Sequence, residues 1–384
     1  MDLNVLADMK TAQGENPAQG LFNGIMQIHK LLRKIELAGM NPKTKKGAKP
    51  VAAAITGTAA GIGLELPLAC HRIFAIDNEK SKIGLPEILV GIFPGAGGTT
   101  RLVRKLGAMN AAPFLLEGKM LSPSKMKLAG IIDELTDKND LLSRAKAWVL
   151  NATDADCIKP WDDKSYKMPG GEPYHPNGYM TFAGASVMVN SKTQGAFPAA
   201  KTLLSAVYEG AQVPFETALK IEARWFTKIL MNPSSESMIR SLFINKEALE
   251  KGAVRPKDIP NQKVEKIGIL GAGMMGAGIS YVSALAGIKV VLLDMKEEDA
   301  QKGKIHAENL LNIGIKRKKI DEKKKSAVLD LISPTTKFED LKDCDLIVEA
   351  VFEDPAVKAE VTKKAEAIID KNCIFASNLS LIHI

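Results

Sequence analysis

The sequence predicts an α/β protein in which two chemical units are joined by helices. Three observations predict it. Residues 51–104 hold apolar runs of strand length broken by glycine-rich turns, with two glutamates, Glu65 and Glu87, set among apolar neighbours. Residues 266–276 place a strand directly before Gly271-Ala272-Gly273-Met274-Met275-Gly276, and a helical pattern follows. Between them, residues 198–250 carry apolar side chains at helical intervals.

At 384 residues the chain is long enough for two or three domains, each with its own core. Hydrophobic content of 46% beside 25% charged residues is that of a globular protein. No apolar run reaches the roughly 18–20 residues of a membrane span. The start, Met1-Asp2-Leu3-Asn4, lacks the basic-then-apolar order of a secretory signal. Cys70, Cys157, Cys344 and Cys373 are far apart and form no metal-ligand pair, which predicts reduced thiols and a cytoplasmic location. His175, between Tyr174 and Pro176, has no ligand at metal spacing and reads as a surface loop residue. No metal is expected. The net charge of +8 gathers in two clusters, around Lys43–Lys49 and Lys316–Lys325. No aromatic residue interleaves with either and no nucleic-acid motif accompanies them, so they read as solvated faces with a modest pull on anionic ligands.

In the first unit, Val51-Ala52-Ala53-Ala54-Ile55 is a strand entering the turn Thr56-Gly57-Thr58. Gly61-Ile62-Gly63 then opens a helix through Glu65 to Cys70. A helix start leaves amides without intrahelical acceptors and carries partial positive charge, so it can hold a developing oxyanion. Arg72-Ile73-Phe74-Ala75-Ile76 is a second strand, and Ile83-Gly84-Leu85-Pro86-Glu87 sets the second carboxyl after a proline-fixed turn. Taken alone, Glu65 reads as a helix-start carboxylate. Two such acids meeting at one water could add it across a conjugated double bond, one drawing a proton from the water and the other delivering one to carbon.

The turn ending in Glu65, Gly-Leu-Pro-Glu at 84–87 and Pro-Gly-Ala-Gly-Gly-Thr at 94–99 resemble the crotonase (enoyl-CoA hydratase/isomerase) family in order and spacing. The resemblance runs over residues 50–136 and implies a crotonase-like ββα spiral, incomplete at its N-terminus. It also implies an acyl-CoA thioester substrate and catalytic roles for Glu65 and Glu87, with the Ile62 amide as an oxyanion donor. Both acids together favour hydration over isomerisation. Ile62 stands where the family has glycine, Pro67 lies inside the helix, and Asp2 matches the acidic end of the segment that supplies the family's other oxyanion amide. That donor would precede Met1.

Taken in order, residues 1–38 are expected to be helical, with Leu21, Ile25, Ile28, Leu31, Leu32 and Ile35 on one face. Helices are expected at 101–116, 123–129 and 141–150, with a closing strand at 130–135. Residues 151–196, with Pro160, Pro169, Pro173 and Pro176, read as a connector of low regularity. The helical face of Leu203, Val207, Val213, Ala218, Ile221 and Trp225 resembles the linker helices of multifunctional fatty-acid oxidation proteins, which pack over their hydratase portion. The expected organisation is a hydratase/isomerase domain at 1–150, connector and linker helices at 151–262, and a nucleotide-binding domain at 263–384.

That last domain opens with the Rossmann-type fingerprint. Gly271 permits the tight turn, Gly273 lets backbone approach a pyrophosphate, and Gly276 lets helix and sheet lie close. Asp294 ends the next strand, placed to hydrogen-bond a ribose and repel a 2′-phosphate, which favours NAD over NADP. Residues 264–380 resemble 3-hydroxyacyl-CoA dehydrogenase. The resemblance puts Met274 and Met275 beside Asp294 at the adenosine side, and Val351, Phe352, Glu353, Lys358 and Ser380 at the nicotinamide end. The family's catalytic histidine would lie beyond Ile384, and His383 is no substitute. The chain is therefore expected to be an internal piece of a longer reading frame, with its dehydrogenase step inactive. The joint resemblance implies fatty-acid β-oxidation and a thiolase partner. An enoyl-CoA isomerase, or a non-catalytic acyl-CoA and NAD-binding module, remains the alternative.

Overall fold

The computed structural model describes residues 16–258 and 262–379. Asp2, Ser380, His383 and the first part of the helix expected at 1–38 lie outside the described residues. The chain divides into two compact units, the first ending at Val254 and the second beginning at Arg255.

The first unit contains a parallel sheet of β1 (Ala52–Ile55), β3 (Arg72–Ile76) and β6 (Glu134–Thr136) in the order β1-β3-β6. A small second sheet joins β2 (Ala59–Ala60), β4 (Ile83–Gly84) and β5 (Met120–Leu121). The helix Ile62–Ala69 runs between β2 and β3. Pro67 lies inside it without ending it. The expected closing strand forms later than its apolar run, because Ile131 and Ile132 are used as core side chains before the ladder begins at Glu134.

Two expectations about helices are corrected. The single helix expected at 101–116 is two, Gly98–Leu106 and Ala108–Leu115, broken where Gly107 takes a left-handed φ of 81°. Residues 151–196 are not irregular throughout, since Pro176–Thr193 is a helix of 18 residues. Pro176 serves at its first turn, where no amide hydrogen is needed, and His175 caps it by accepting the Asn177 amide. That helix escapes a periodicity test because Tyr179, Met180, Val187 and Met188 put apolar side chains on its exposed faces.

Helices Pro17–Leu37, Pro198–Gly210 and Phe215–Leu230 complete the core of this unit. Leu21, Ile25, Leu203, Ala223, Phe226 and Ile229 belong to the same apolar cluster as Leu64, Ile73, Phe93 and Leu102. Leu31, expected on the buried face of the first helix, is exposed. The buried face there is Leu21, Ile25, His29, Leu32 and Glu36. Glu36 is fully enclosed and accepts Nε and Nη2 of the equally enclosed Arg101, both at 3.1 Å, while Arg33 bonds both Glu36 and Asp162.

The second unit is a five-stranded parallel sheet in the order β11-β10-β7-β8-β9, with β7 at Lys266–Leu270, β8 at Lys289–Leu293, β9 at Ile332–Thr335, β10 at Leu346–Glu349 and β11 at Ile374–Ser377. Ala284, Ala307 and Leu311 cover one face and Val361 and Ala365 the other. Strand order reverses between β7 and β10. In an open parallel sheet, ligands bind at such a crevice, beyond the carboxyl ends of the strands.

Removing one partner of a fully enclosed ion pair costs about 3–5 kcal/mol. Glu36→Gln, which strands Arg101, is expected to lower the urea midpoint of the first unit without moving that of the second, the first read by fluorescence of Trp148, Trp161 and Trp225 and the second by hydrogen exchange of its strand amides during the same denaturation.

Candidate active site

Glu65 and Glu87 line one apolar cavity of about 610 Å³, with Gly61, Ile62, Phe93 and Phe226. The sequence's two carboxyls are thus brought together. Glu87 opens a short 3-10 turn after Pro86, and its Oε1 stands where a Cβ on Gly61 would come within 2.8 Å. Gly61 has a left-handed φ of 58°, so a side chain is excluded there by conformation as well as by space. Glu87 Oε2 is buried with no hydrogen-bond partner. Ile62 begins the helix, so its amide is one that a helix start leaves without an intrahelical acceptor. Its side chain packs beside Ile28 and Ile35 against Leu32, Ala69 and Ala96.

Glu65 is held differently. Its Oε1 accepts the amides of Ala96 and Gly98, each at 2.8 Å, at the start of the helix Gly98–Leu106. Burial pushes the Glu65 carboxyl up to about 7, assisted by the charge of Glu222, against the lowering effect of those two amides. Burial likewise pushes Glu87 up to about 8, with the charge of Glu65 adding to it. The two acids therefore titrate as a pair near neutrality, Glu65 favouring the ionised form and Glu87 the protonated one.

Sequence reasoning missed Glu222. It accepts the Gly97 amide at 2.6 Å, the Thr100 amide at 2.8 Å and the Thr100 hydroxyl at 2.6 Å. Burial raises it to about 7. A signal was available, because Glu222 falls in step with Phe215, Ala218, Leu219 and Phe226 on the buried face of its helix. A carboxylate on an apolar face needs a partner.

In the second unit the helix Met274–Leu285 begins directly at the glycine turn, with no side chain capping it. A Cβ on Gly276 would lie 1.8 Å from the Gly271 carbonyl oxygen, whereas Gly273 faces open space. An uncapped helix start beside an open glycine fits a pyrophosphate. Met274, Met275 and Phe352 are exposed. Asp294 follows β8, and its two oxygens accept the amides of Ala272 and Met295, each at 2.7 Å, which anchors it beside the turn with lone pairs to spare. Val351, Phe352 and Glu353 follow β10 across the crevice. Lys358 is bound by both oxygens of Glu349, at 3.1 and 2.9 Å, and lies 3.4 Å from Glu353. Glu349, also missed, is buried. Burial alone would raise it, but hydrogen bonds from Ser377, Lys358 and the Val351 amide together hold it below the usual carboxylate range.

Comparison with known proteins agrees with this division. Residues 27–156 match the family model for enoyl-CoA hydratase/isomerase, and residues 266–384 match that for the NAD-binding domain of 3-hydroxyacyl-CoA dehydrogenase. The fatty acid oxidation complex subunit alpha of Shewanella loihica is 34% identical over 336 residues, covering 87% of this chain and 47% of its own length. The protein of the same name from Acinetobacter baumannii is 32% identical over 379 residues, 97% of this chain and 51% of its own. The chain therefore spans about half the length of the curated relatives it matches. Among solved structures, (S)-3-hydroxybutyryl-CoA dehydrogenase from Ralstonia eutropha is 36% identical over 31% of this chain and 42% of its own, with a TM-score of 0.30.

Glu65, Glu87 and Glu222 each bind a proton more tightly folded than an ordinary carboxyl does unfolded. The folded state thus holds more protons between the ordinary carboxylate range and about 8, and its stability falls as pH rises across that window. The thermal transition of the first unit is expected to drop between pH 5 and pH 8, by about 2–4 °C for each ~1 kcal/mol lost. Glu87→Gln should flatten that slope, as scanning calorimetry at several pH values will show.

Proposed function

We infer that this chain, which joins a segment of the enoyl-CoA hydratase/isomerase family to the NAD-binding domain of 3-hydroxyacyl-CoA dehydrogenase, serves fatty-acid β-oxidation, and that its first unit hydrates trans-2-enoyl-CoA to 3-hydroxyacyl-CoA. The observation that carries this reading is the pair of buried carboxyls on one apolar cavity, both with proton affinities near neutrality.

The division of roles follows from their surroundings. Glu65, with one oxygen on two amides, is the carboxylate that takes a proton from water as its oxygen attacks the β-carbon. Glu87, the stronger proton holder, delivers its proton to the α-carbon. One O–H bond of water, the π bond of the C=C and the O–H of Glu87 break, while a C–O bond, a C–H bond and the O–H of Glu65 form. The proton gained by Glu65 then passes back to Glu87 and restores the pair. Charge developing on the thioester oxygen is met by the Ile62 amide at the helix start. The apolar lining from Phe93 and Phe226 receives the acyl chain and keeps bulk water away.

In the second unit, residues at the β7/β10 crevice would hold NAD: the turn at Gly271, Gly273 and Gly276 its pyrophosphate, Asp294 a ribose, and the loop from Val351 to Glu353 with Lys358 the nicotinamide end. NAD supplies the hydride acceptor for oxidising a 3-hydroxyl. The reading implies a cytoplasmic location and, for the fatty acid oxidation complex subunits the chain resembles, a 3-ketoacyl product passed to a thiolase partner. Among the described residues no helix is long and apolar enough to cross a membrane.

Glu65→Gln and Glu87→Gln are each expected to cut kcat for crotonyl-CoA by about 10²–10⁴-fold, followed as loss of the enoyl-thioester absorbance. Full 2-enoyl hydration by either variant would overturn the two-acid mechanism, and 3-enoyl to 2-enoyl conversion without hydration by the unmodified chain would establish the isomerase instead. The rate should peak between limbs near 7 and 8, with Glu65 ionised and Glu87 protonated. Asp294→Ala should weaken NAD binding about tenfold by calorimetry, the loss of hydrogen bonds to a charged group.

A further inference from the structure

The helix start at residues 96–100 serves two acids at once, and in alternation. Ala96 and Gly98 give their amides to Glu65, while Gly97 and Thr100 give theirs to Glu222. Glu222 comes from the helix Phe215–Leu230, beyond the stretch matched to the hydratase/isomerase model. It does not line the cavity. We propose that Glu222 is a positioning residue for Glu65, holding the alternate amides of one helix start so that the other two stay aimed at the Glu65 carboxylate. This rests on the hydration reading of the cavity given above.

Geometry makes the two acids interdependent. Gly97 has a left-handed φ of 93°, which turns its amide away from its neighbours and toward Glu222. A Cβ on Gly98 would come within 2.6 Å of Glu65, so the loop lies flat against that side chain. If Glu222 let go, Gly97 and Thr100 would have two free amides in a closed interior, and the loop would turn to satisfy them. The Ala96 and Gly98 donors would move with it.

The charges around Glu222 offset its influence on Glu65 only in part. His29, from the helix Pro17–Leu37, lies 3.8 Å away, but burial lowers it to about 4 and its Nε2 donates to the Gly95 carbonyl at 2.7 Å, so it is neutral. Arg101, from the helix Gly98–Leu106, pairs with Glu36 and donates to the Ala96 carbonyl, and its charge lowers both Glu65 and Glu222. The helix Pro198–Gly210 sends Glu209 to Arg224 and Trp225. Glu65 and Glu87 are the other acids in reach: the charge of Glu222 is the second largest influence raising Glu65, and it raises Glu87 as well, by less than Glu65 does.

The test is Glu222→Gln in the full chain, with two readouts. Crotonyl-CoA hydration should lose about ten- to a hundredfold in kcat with KM within about twofold, and the acid limb of the rate profile should fall by roughly one pH unit as a neighbouring charge is removed. Independently of turnover, the ¹³C carboxyl titration of Glu65, assigned with Glu65→Gln, should move down by a similar amount. Glu222→Asp should recover part of both. Glu222→Ala removes the same charge and also leaves the Gly97 and Thr100 amides without an acceptor, so the Ala96 and Gly98 donors that hold Glu65 down loosen and its midpoint should lie above that of Glu222→Gln; equal midpoints in the two variants leave the charge alone at work and overturn the proposal. Should Glu222→Gln not fold, Thr100→Val removes one donor from Glu222 and should move the Glu65 midpoint in the same direction by less, an unmoved midpoint again overturning it. If the unmodified chain does not hydrate crotonyl-CoA but the Glu65 midpoint still moves, the coupling stands and the hydration reading falls.

Discussion

The first unit depends on how one helix start is shared. The helix Gly98–Leu106 offers its amides inward, where no water can take them, and two carboxylates from distant parts of the chain supply the acceptors. Such amides are among the few groups able to hold a carboxylate in an apolar interior without a cation at its side. The result is a pair of carboxyls both raised toward neutrality, in which two amides favour the ionised form of Glu65 and the lack of any donor on Oε2 favours the protonated form of Glu87. Two chemically identical side chains thus acquire different surroundings from backbone geometry.

Beneath the cavity, charge is balanced in a chain of contacts. Arg101 is neutralised by Glu36, Glu36 also meets Arg33, and Arg33 reaches Asp162 and Glu216 at the rim. The guanidinium groups lie over Phe215, which stacks on Trp161 with ring centres 5.0 Å apart. The network adds rigidity behind the start of the helix Gly98–Leu106, because each member is tied to at least one other and none can relax alone.

What was legible in the sequence was what is local. Glu65, Glu87 and the turn at Gly271–Gly276 each sit in a short run whose glycines and prolines fix the backbone, so spacing along the chain translates into position in space. Glu222 and Glu349 were not legible in that way. Glu222 is the acid on the buried apolar face of its helix and Glu349 ends an apolar strand, and the partners of each lie elsewhere in the chain: Glu222 reaches back some 120 residues to Gly97 and Thr100, and Glu349 forward to Ser377. The helix Pro176–Thr193 was hidden for the opposite reason. Its apolar residues are spread around the whole circumference, so no period emerges, and the prolines before it suggest a loop.

The contact between Gly95 and Phe226 bears on how freely this architecture could be recombined. A Cβ on Gly95 would come within 2.4 Å of the Phe226 ring, and one on Gly97 within 2.0 Å of the Arg101 guanidinium. The helix Phe215–Leu230 is therefore not a detachable tether but part of the wall of the cavity. A graft exchanging only residues 27–156 for those of a shorter relative would carry away the loop and leave its counterpart behind, so inheritance of this pocket must proceed with both segments as a single heritable block.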